Sequence, residues 1–328
     1  MKPRVLRRGA VPAAALALAL TACGGQDGAA PAGESAESPV AGSEVSGEVI
    51  VDGSSTVQPL TAAAGELYAE EAAGVNVSVA TSGTGGGFEK FCQGQTDISN
   101  ASRAIEADEI AICEQNGVTY TELQVATDAL TVVGSMDNEF LECLTTAELK
   151  TLWAPEAEGT ITTWNQVNPE FPSEPIELYG PGTDSGTFDY FTDAINGEEG
   201  ASRSDYNASE DDNTIVQGVG GSPNALGYFG FSYFEENADT LNAVEVDGGG
   251  GCVAPSAETA QDGTYAPLAR PLFIYVSNKV AADKPQVAGF VDFYAQNSTT
   301  IAEAAQFIPL NEEQTAKLQD AASALTAS

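Results

Sequence analysis

Val75-Asn76-Val77-Ser78-Val79, followed after Ala80-Thr81 by Ser82-Gly83-Thr84-Gly85-Gly86-Gly87 and then Phe88-Glu89-Lys90-Phe91-Cys92, is the stretch whose pattern decides the fold. The alternation of valine with polar residues predicts a half-buried strand, the glycine run a turn, and Phe88 with Phe91 the inner face of a helix. Glycine has no Cβ, so its backbone can approach a ligand closely. The first-turn N–H groups of a helix lack intrahelical acceptors and attract an anion. The stretch therefore reads as half of an oxyanion cradle, with a plain surface turn as the alternative.

The same construction recurs along the chain. Glu48-Val49-Ile50-Val51 predicts a strand leading into Asp52-Gly53-Ser54-Ser55-Thr56, then a helix from about Val57 with Leu60, Ala64, Leu67 and Tyr68 on one face. Ser55 and Thr56 stand at its start, where a hydroxyl can cap the helix and also donate to a ligand. Ile176-Glu177-Leu178-Tyr179 predicts a strand that exits through Gly180 to Thr187, with Phe188, Phe191 and Ile195 at helical spacing beyond. Ser185-Gly186-Thr187 is thus another hydroxyl and glycine helix start. Thr96 to Arg103 reads as a short strand leaving Ser102 and Arg103 at a turn. Arg103 is expected to be the ligand's cation, because a planar guanidinium can take an oxyanion bidentately.

Val125 to Val133 and Pro271 to Val276 are apolar enough to be buried strands and are expected to cross between two lobes. Leu144 to Trp153 predicts a short helix with Thr145 as its cap, and Trp153 and Trp164 are expected in the core. Residues 196–213 read as a polar loop with helix fragments, and Gly218 to Ser222 as a glycine lead-in to a strand at Leu226 to Gly230. Val244 to Ala254, with four consecutive glycines and Cys252, reads as a disulfide-held loop. Val287 to Gln296, Thr299 to Phe307 and Glu312 to Leu325 predict closing helices.

The chain has 328 residues, enough for about two domains. Its 48 acidic residues against 12 basic give a formal net charge of −36, which makes nucleic acid a poor partner. Four of the basic residues, Lys2, Arg4, Arg7 and Arg8, form a positive lead to the apolar run Ala10 to Leu20, closed by Leu20-Thr21-Ala22-Cys23. That pattern resembles a bacterial lipoprotein signal, cut before a cysteine that then carries lipid. The expected organisation is a signal peptide over 1–22 and a lipidated flexible tether over 23–47, whose Gly, Ala, Ser, Pro and Glu cannot build a core. Beyond Cys23 the cysteines are Cys92, Cys113, Cys143 and Cys252, an even number that outside the cytoplasm argues for two disulfides. Of the three connectivities, Cys92 with Cys113 and Cys143 with Cys252 are favoured. Histidine is absent, which excludes Ser-His-Asp and Cys-His catalysis and His-ligated metals, and no C-x-x-C spacing supports a zinc site.

Taken in order, Asp52 to Thr56, Thr81 to Phe88, Asp97 to Arg103 and Gly182 to Thr187, with Thr163-Trp164-Asn165 and Gly227-Tyr228-Phe229-Gly230 in support, resemble the PstS-like phosphate-binding proteins of phosphate ABC importers. The resemblance covers 48–325. It implies an α/β, two-lobed periplasmic-binding-protein fold of type II with two hinge-crossing strands: lobe I at 48–130 plus 272–328, lobe II at 131–271. It implies an inorganic phosphate ligand held between the lobes without metal or cofactor, and a monomeric, lipid-anchored receptor whose partners are transmembrane permease subunits. Carried over by motif, the ligand set is Ser55, Thr56, Thr84, Gly85, Ser102, Arg103, Ser185, Gly186 and Thr187, with Ser82 as an extra. The best-known members carry an aspartate where Arg103 stands and an arginine near Pro181, so the cation has changed lobes.

Phosphate near neutral pH carries a proton and sulfate does not, so a carboxylate facing the ligand would select phosphate. Asp184 is expected in that role, with Asp52 as runner-up; Asp184 as a helix cap is the competing assignment. Two rivals stand beside the phosphate receptor. One is a receptor for another tetrahedral oxyanion, such as sulfate, molybdate or tungstate. The other is an extracellular phosphatase or hydrolase using Ser55 or Ser185, which lacks a histidine base, a G-x-S-x-G elbow and an S-x-x-K pair.

Overall fold

A computed structural model describes residues 45–326. The expected signal peptide, the lipidated Cys23 and most of the tether lie outside the described residues. The chain begins with β1 (Gly47–Gly53), α1 (Gln58–Glu71), β2 (Val75–Val79), α2 (Gly83–Cys92), β3 (Ile98–Ala101) and α3 (Ala107–Gln115), then enters the long β4 (Tyr120–Ser135). A second region follows: β5 (Cys143–Thr145), α4 (Thr146–Trp153), β6 (Glu177–Gly180), α5 (Gly186–Phe191), β7 (Asn207–Ala208), α6 (Asp212–Gly220), β8 (Ala225–Gly230), α7 (Phe231–Glu236), β9 (Leu241–Ala243), β10 (Glu245–Asp247), β11 (Cys252–Val253) and α8 (Ala257–Gln261). The chain returns through β12 (Ala269–Ser277) and ends in α9 (Asn278–Asp283), α10 (Pro285–Gln296), α11 (Ser298–Ala304) and α12 (Glu312–Thr326).

One sheet runs β2-β1-β3-β12-β4-β8-β6-β7, with β9 also on β4. β1 pairs parallel with β2 and β3, and β6 parallel with β8, as strands joined by crossover helices must. At the middle β4 and β12 lie antiparallel, Asp128 opposite Arg270. These are the two apolar segments expected to cross, and they lie side by side. Each half of the sheet has its own core. Val49, Leu60, Ile98, Ile274, Phe290 and Ala322 belong to one; Leu130, Val132, Trp153, Trp164, Phe191 and Tyr228 belong to the other. Both tryptophans are fully buried, as expected. The fold is mixed α/β and two-lobed.

Disulfides join Cys92 to Cys113, tying α2 to α3, and Cys143 to Cys252, tying β5 to β11. Three local expectations change. Val244 to Ala254 is not only a loop, since β10 and β11 form a small sheet with β5, which takes Leu144 and Thr145 out of the helix expected there. Strands of two or three residues are too short to show a period. Gly218 to Gly220 close α6 instead of a loop, because Ile215 and Val219 bury one face of that helix. The glycine run Gly83 to Gly87 lies within α2 instead of preceding it.

Tight packing explains why glycines are tolerated inside that helix. A Cβ on Gly87 would lie 2.5 Å from Gly53 Cα and 2.8 Å from Ser99 Oγ, so α2 rests directly on β1 and β3. Gly53 itself, at φ +139°, would drive a Cβ to 2.1 Å from the Asn100 carbonyl oxygen. Gly87 therefore serves helix-to-sheet contact and not approach to a ligand.

Candidate functional site

A cleft of about 650 Å³ opens where the carboxyl ends of β1, β2 and β3 face α5 and the start of β12. Crevices at strand carboxyl ends are where α/β sheets bind ligands. From the first half it is lined by Ser54, Ser55, Thr56, Gly83, Thr84, Gly85, Ser102 and Arg103, and from the other side by Asp189, Tyr190, Asp193, Glu199, Pro267, Ala269 and Arg270. Six expected ligands, Ser55, Thr56, Thr84, Gly85, Ser102 and Arg103, thus share one wall.

Local bonding shapes that wall. Thr84 Oγ1 and Ser102 Oγ share a hydrogen bond of 3.0 Å, and the Ser102 N–H donates to Thr84 Oγ1 at 3.2 Å, which brings two turns together. Ser82, the N-cap of α2, makes no side-chain cap. Its hydroxyl turns away and donates to Asp52 Oδ1 at 2.8 Å. The first-turn N–H groups at Gly83 to Gly85 are therefore not consumed by the cap side chain. Asp52 is almost fully buried and also accepts from the Gly53 N–H and Lys90. Burial pushes its carboxyl up, but Lys90, Ser82 and the Gly53 N–H together hold it below the ordinary aspartate value. Ser82 and Asp52 thus brace the wall from behind and do not line the cleft.

Arg103 is in the cleft, yet its fork is not free. Nη1 and Nη2 donate to the two carboxylate oxygens of Glu109, each at 2.8 Å, and Nε pairs with Glu106 at 3.2 Å. Bidentate capture of a ligand by Arg103, as expected from sequence, would require Glu109 to let go.

Arg270 is absent from the set expected from sequence. It lies at the start of β12, donates from Nη2 to Thr56 Oγ1 at 3.1 Å and from Nε to Asp128 Oδ2 at 3.2 Å, and sits 3.6 Å from the centroid of the Tyr190 ring. Burial pushes the Asp128 carboxyl up, and Arg270 offsets part of that. The available signal is position: beyond Arg8 the chain has three arginines, and Arg270 immediately precedes the crossing strand Pro271 to Val276.

The Ser185 turn is placed differently from the first-wall residues. Ser185 N-caps α5, its Oγ accepting from the Thr187 N–H at 3.2 Å. Gly186 faces the first half, since a Cβ there would lie 3.5 Å from Thr56 Oγ1. Thr187 lines a separate cavity of about 160 Å³ with Asp128 and Asp212. Asp184 is exposed, bonded through its N–H to Glu210 at 3.4 Å, and does not line the cleft. It is not the cap either. The carboxylates that reach the cleft are Asp189, Asp193 and Glu199. Asp189 follows Ser185 by one helical turn, and that spacing is the missed signal. Burial, then Glu199, pushes the Asp189 carboxyl up, while Arg270 draws it down.

Residues 36–298 match the PBP superfamily domain. The chain is 48% identical over 308 residues to Protein SphX of Synechocystis sp., covering 94% of this chain and 87% of that protein. It is 40% identical over 279 residues to the phosphate-binding protein PstS of Staphylococcus saprophyticus, covering 84% and 85%. The crystal structure of a possible phosphate binding protein from Planctomyces limnophilus superposes with a TM-score of 0.81 at 44% identity, over 86% of this chain and 99% of that one. The chain belongs to the PBP superfamily and, within it, to the family of the PstS and SphX proteins.

Proposed function

We propose that this protein is an extracytoplasmic receptor that binds inorganic phosphate and delivers it to the transmembrane subunits of an ABC importer. The observation that carries the proposal is the first wall of the cleft, where Thr56, Thr84 and Ser102 present hydroxyls beside the start of α2, with Arg103 and Arg270 at hand. Such a set satisfies the oxygens of a tetrahedral anion without metal. The net charge of −36 does not oppose this, because remote carboxylates are screened beyond a Debye length of about 8 Å at physiological salt.

The ligand set on this proposal is Ser55, Thr56, Thr84, Gly85, Ser102 and Arg103 from a lobe of 48–130 plus 272–328. From a lobe of 131–271 Gly186, which faces Thr56, approaches while Ser185 and Thr187 stay off the cleft, and Arg270 is added to the set. Choice of anion passes from Asp184 to Asp189, the partly buried carboxylate on the cleft. The protein acts by binding, without turnover, as a monomer anchored through lipid on Cys23. Among the described residues no helix is long and apolar enough to cross a membrane.

Titration calorimetry with phosphate, sulfate and molybdate tests this. Phosphate is expected to bind at least about 100-fold tighter than sulfate, equivalent to about 2.7 kcal/mol. Equal or tighter binding of sulfate or molybdate would reassign the ligand, and steady hydrolysis of an aryl phosphate ester would reassign the class.

A further inference from the structure

Arg270 occupies a position that the binding role alone does not account for. Its cross-strand partner on β4 is Asp128, so the pair sits on the two adjacent strands through which the halves of the sheet are joined. The guanidinium reaches Thr56 of the first half by a hydrogen bond and Tyr190 of the second by stacking. Tyr190 is itself tied down, its hydroxyl donating to the Pro267 carbonyl at 2.7 Å, two residues before β12 begins. One side chain therefore contacts both crossing strands and both walls. Among the described residues its Nη1 has no hydrogen-bond partner, which leaves donors for a ligand.

We propose that Arg270 is a positioning residue that couples the angle between the lobes to the bound anion. Asp128 and Tyr190 hold the guanidinium at the inner end of the cleft. From there it orients the Thr56 hydroxyl and presents its remaining N–H groups only when the strands and α5 stand in the closed arrangement. This rests on the phosphate assignment above. It makes a prediction that charge alone does not. Asp128 is a buried acid near an anion site, so on charge alone Asp128→Asn should tighten phosphate binding; on coupling it should weaken it, because the charge-assisted bond that aims Arg270 is lost.

The test is calorimetry with inorganic phosphate on wild type, Asp128→Asn and Arg270→Lys, with small-angle X-ray scattering of each with and without saturating phosphate. Wild type is expected to bind and to contract. Asp128→Asn should bind about tenfold more weakly, the scale of one charge-assisted hydrogen bond. Arg270→Lys keeps the charge but loses fork and stack, and should bind about 100-fold more weakly, with reduced contraction at saturation. Thermal melts check folding; if Asp128→Asn fails to fold, Tyr190→Leu, which leaves both charges in place, should show the same weakening. Binding by Asp128→Asn as tight as wild type, or full contraction of saturated Arg270→Lys, would overturn the coupling alone. A wild type that neither binds nor contracts with phosphate would overturn the phosphate assignment and the coupling with it.

Discussion

The two walls of the cleft are built with opposite chemistry. The first wall offers donors, the hydroxyls of Thr56, Thr84 and Ser102 and the start of α2, and it is braced from behind by the buried Asp52 with Lys90 and Ser82. The second offers acceptors, Asp189 on α5, Asp193 on the helical turn that continues it and Glu199 beyond, beside Arg270. Donors on a braced surface attract any oxyanion, whereas acceptors facing them reject one that has no proton to give. On the proposed function, capture and choice are divided between the halves, with Arg270 where the two meet.

The largest expected effect falls on the bracing. Gly87→Ala would force a Cβ into Gly53 and Ser99, backbone and buried side chain that cannot swing aside. It should cost about 3 kcal/mol, as overpacking does, and lower the melting temperature by at least about 5 °C in calorimetry. An unchanged melt would mean that the first wall is not set by helix-to-sheet contact. Next is capture: Thr84→Val removes the acceptor of the Ser102 N–H and one candidate donor. Phosphate affinity should fall about 30-fold, roughly 2 kcal/mol, while the melt shifts little.

Choice has the smallest effect and the sharpest contrast. Asp189→Asn should reduce the preference for phosphate over sulfate about tenfold, mainly by admitting sulfate, whereas Asp184→Asn should leave it within about twofold. The raised Asp189 carboxyl adds a pH signature. Its neutral form persists to higher pH than that of an exposed aspartate, so acidification neutralises it early and removes the repulsion of sulfate. Wild-type preference should therefore decline on acidification at a higher pH than an exposed aspartate would produce, beyond any decline in Asp189→Asn. Parallel profiles in the two proteins would remove Asp189 from the selecting role.

Much of the architecture was legible because burial leaves a period. The alternation in Val75 to Val79, the apolar crossings and the turn residues at each strand exit marked β2, β4, β12 and the donor turns. Parity and spacing of four cysteines favoured the observed pairing. Short β10 and β11 carried no period, and the glycines of α2 and α6 mimicked loops because the contacts that tolerate them come from strands far away in sequence. Asp184 was conspicuous beside Ser185, but helix geometry turns Asp189, four residues past the cap, into the cleft. Arg103 looked free because Glu109 lies across a turn, on the helix that follows.

By itself the sequence determined which groups are at hand: hydroxyl and glycine turns at strand ends, few arginines in an acidic chain, no histidine, and two apolar strands able to join two lobes. These are local properties, written in residue type and spacing. Only the tertiary structure decided which charges oppose one another: Arg103 held by Glu109, Asp52 neutralised by Lys90, Asp189 in the cleft and Asp184 out of it, and Arg270 set against Asp128, Thr56 and Tyr190. Electrostatic roles depend on distances of a few ångströms between residues as far apart in the chain as Thr56 and Arg270, and such distances exist only once the chain has folded.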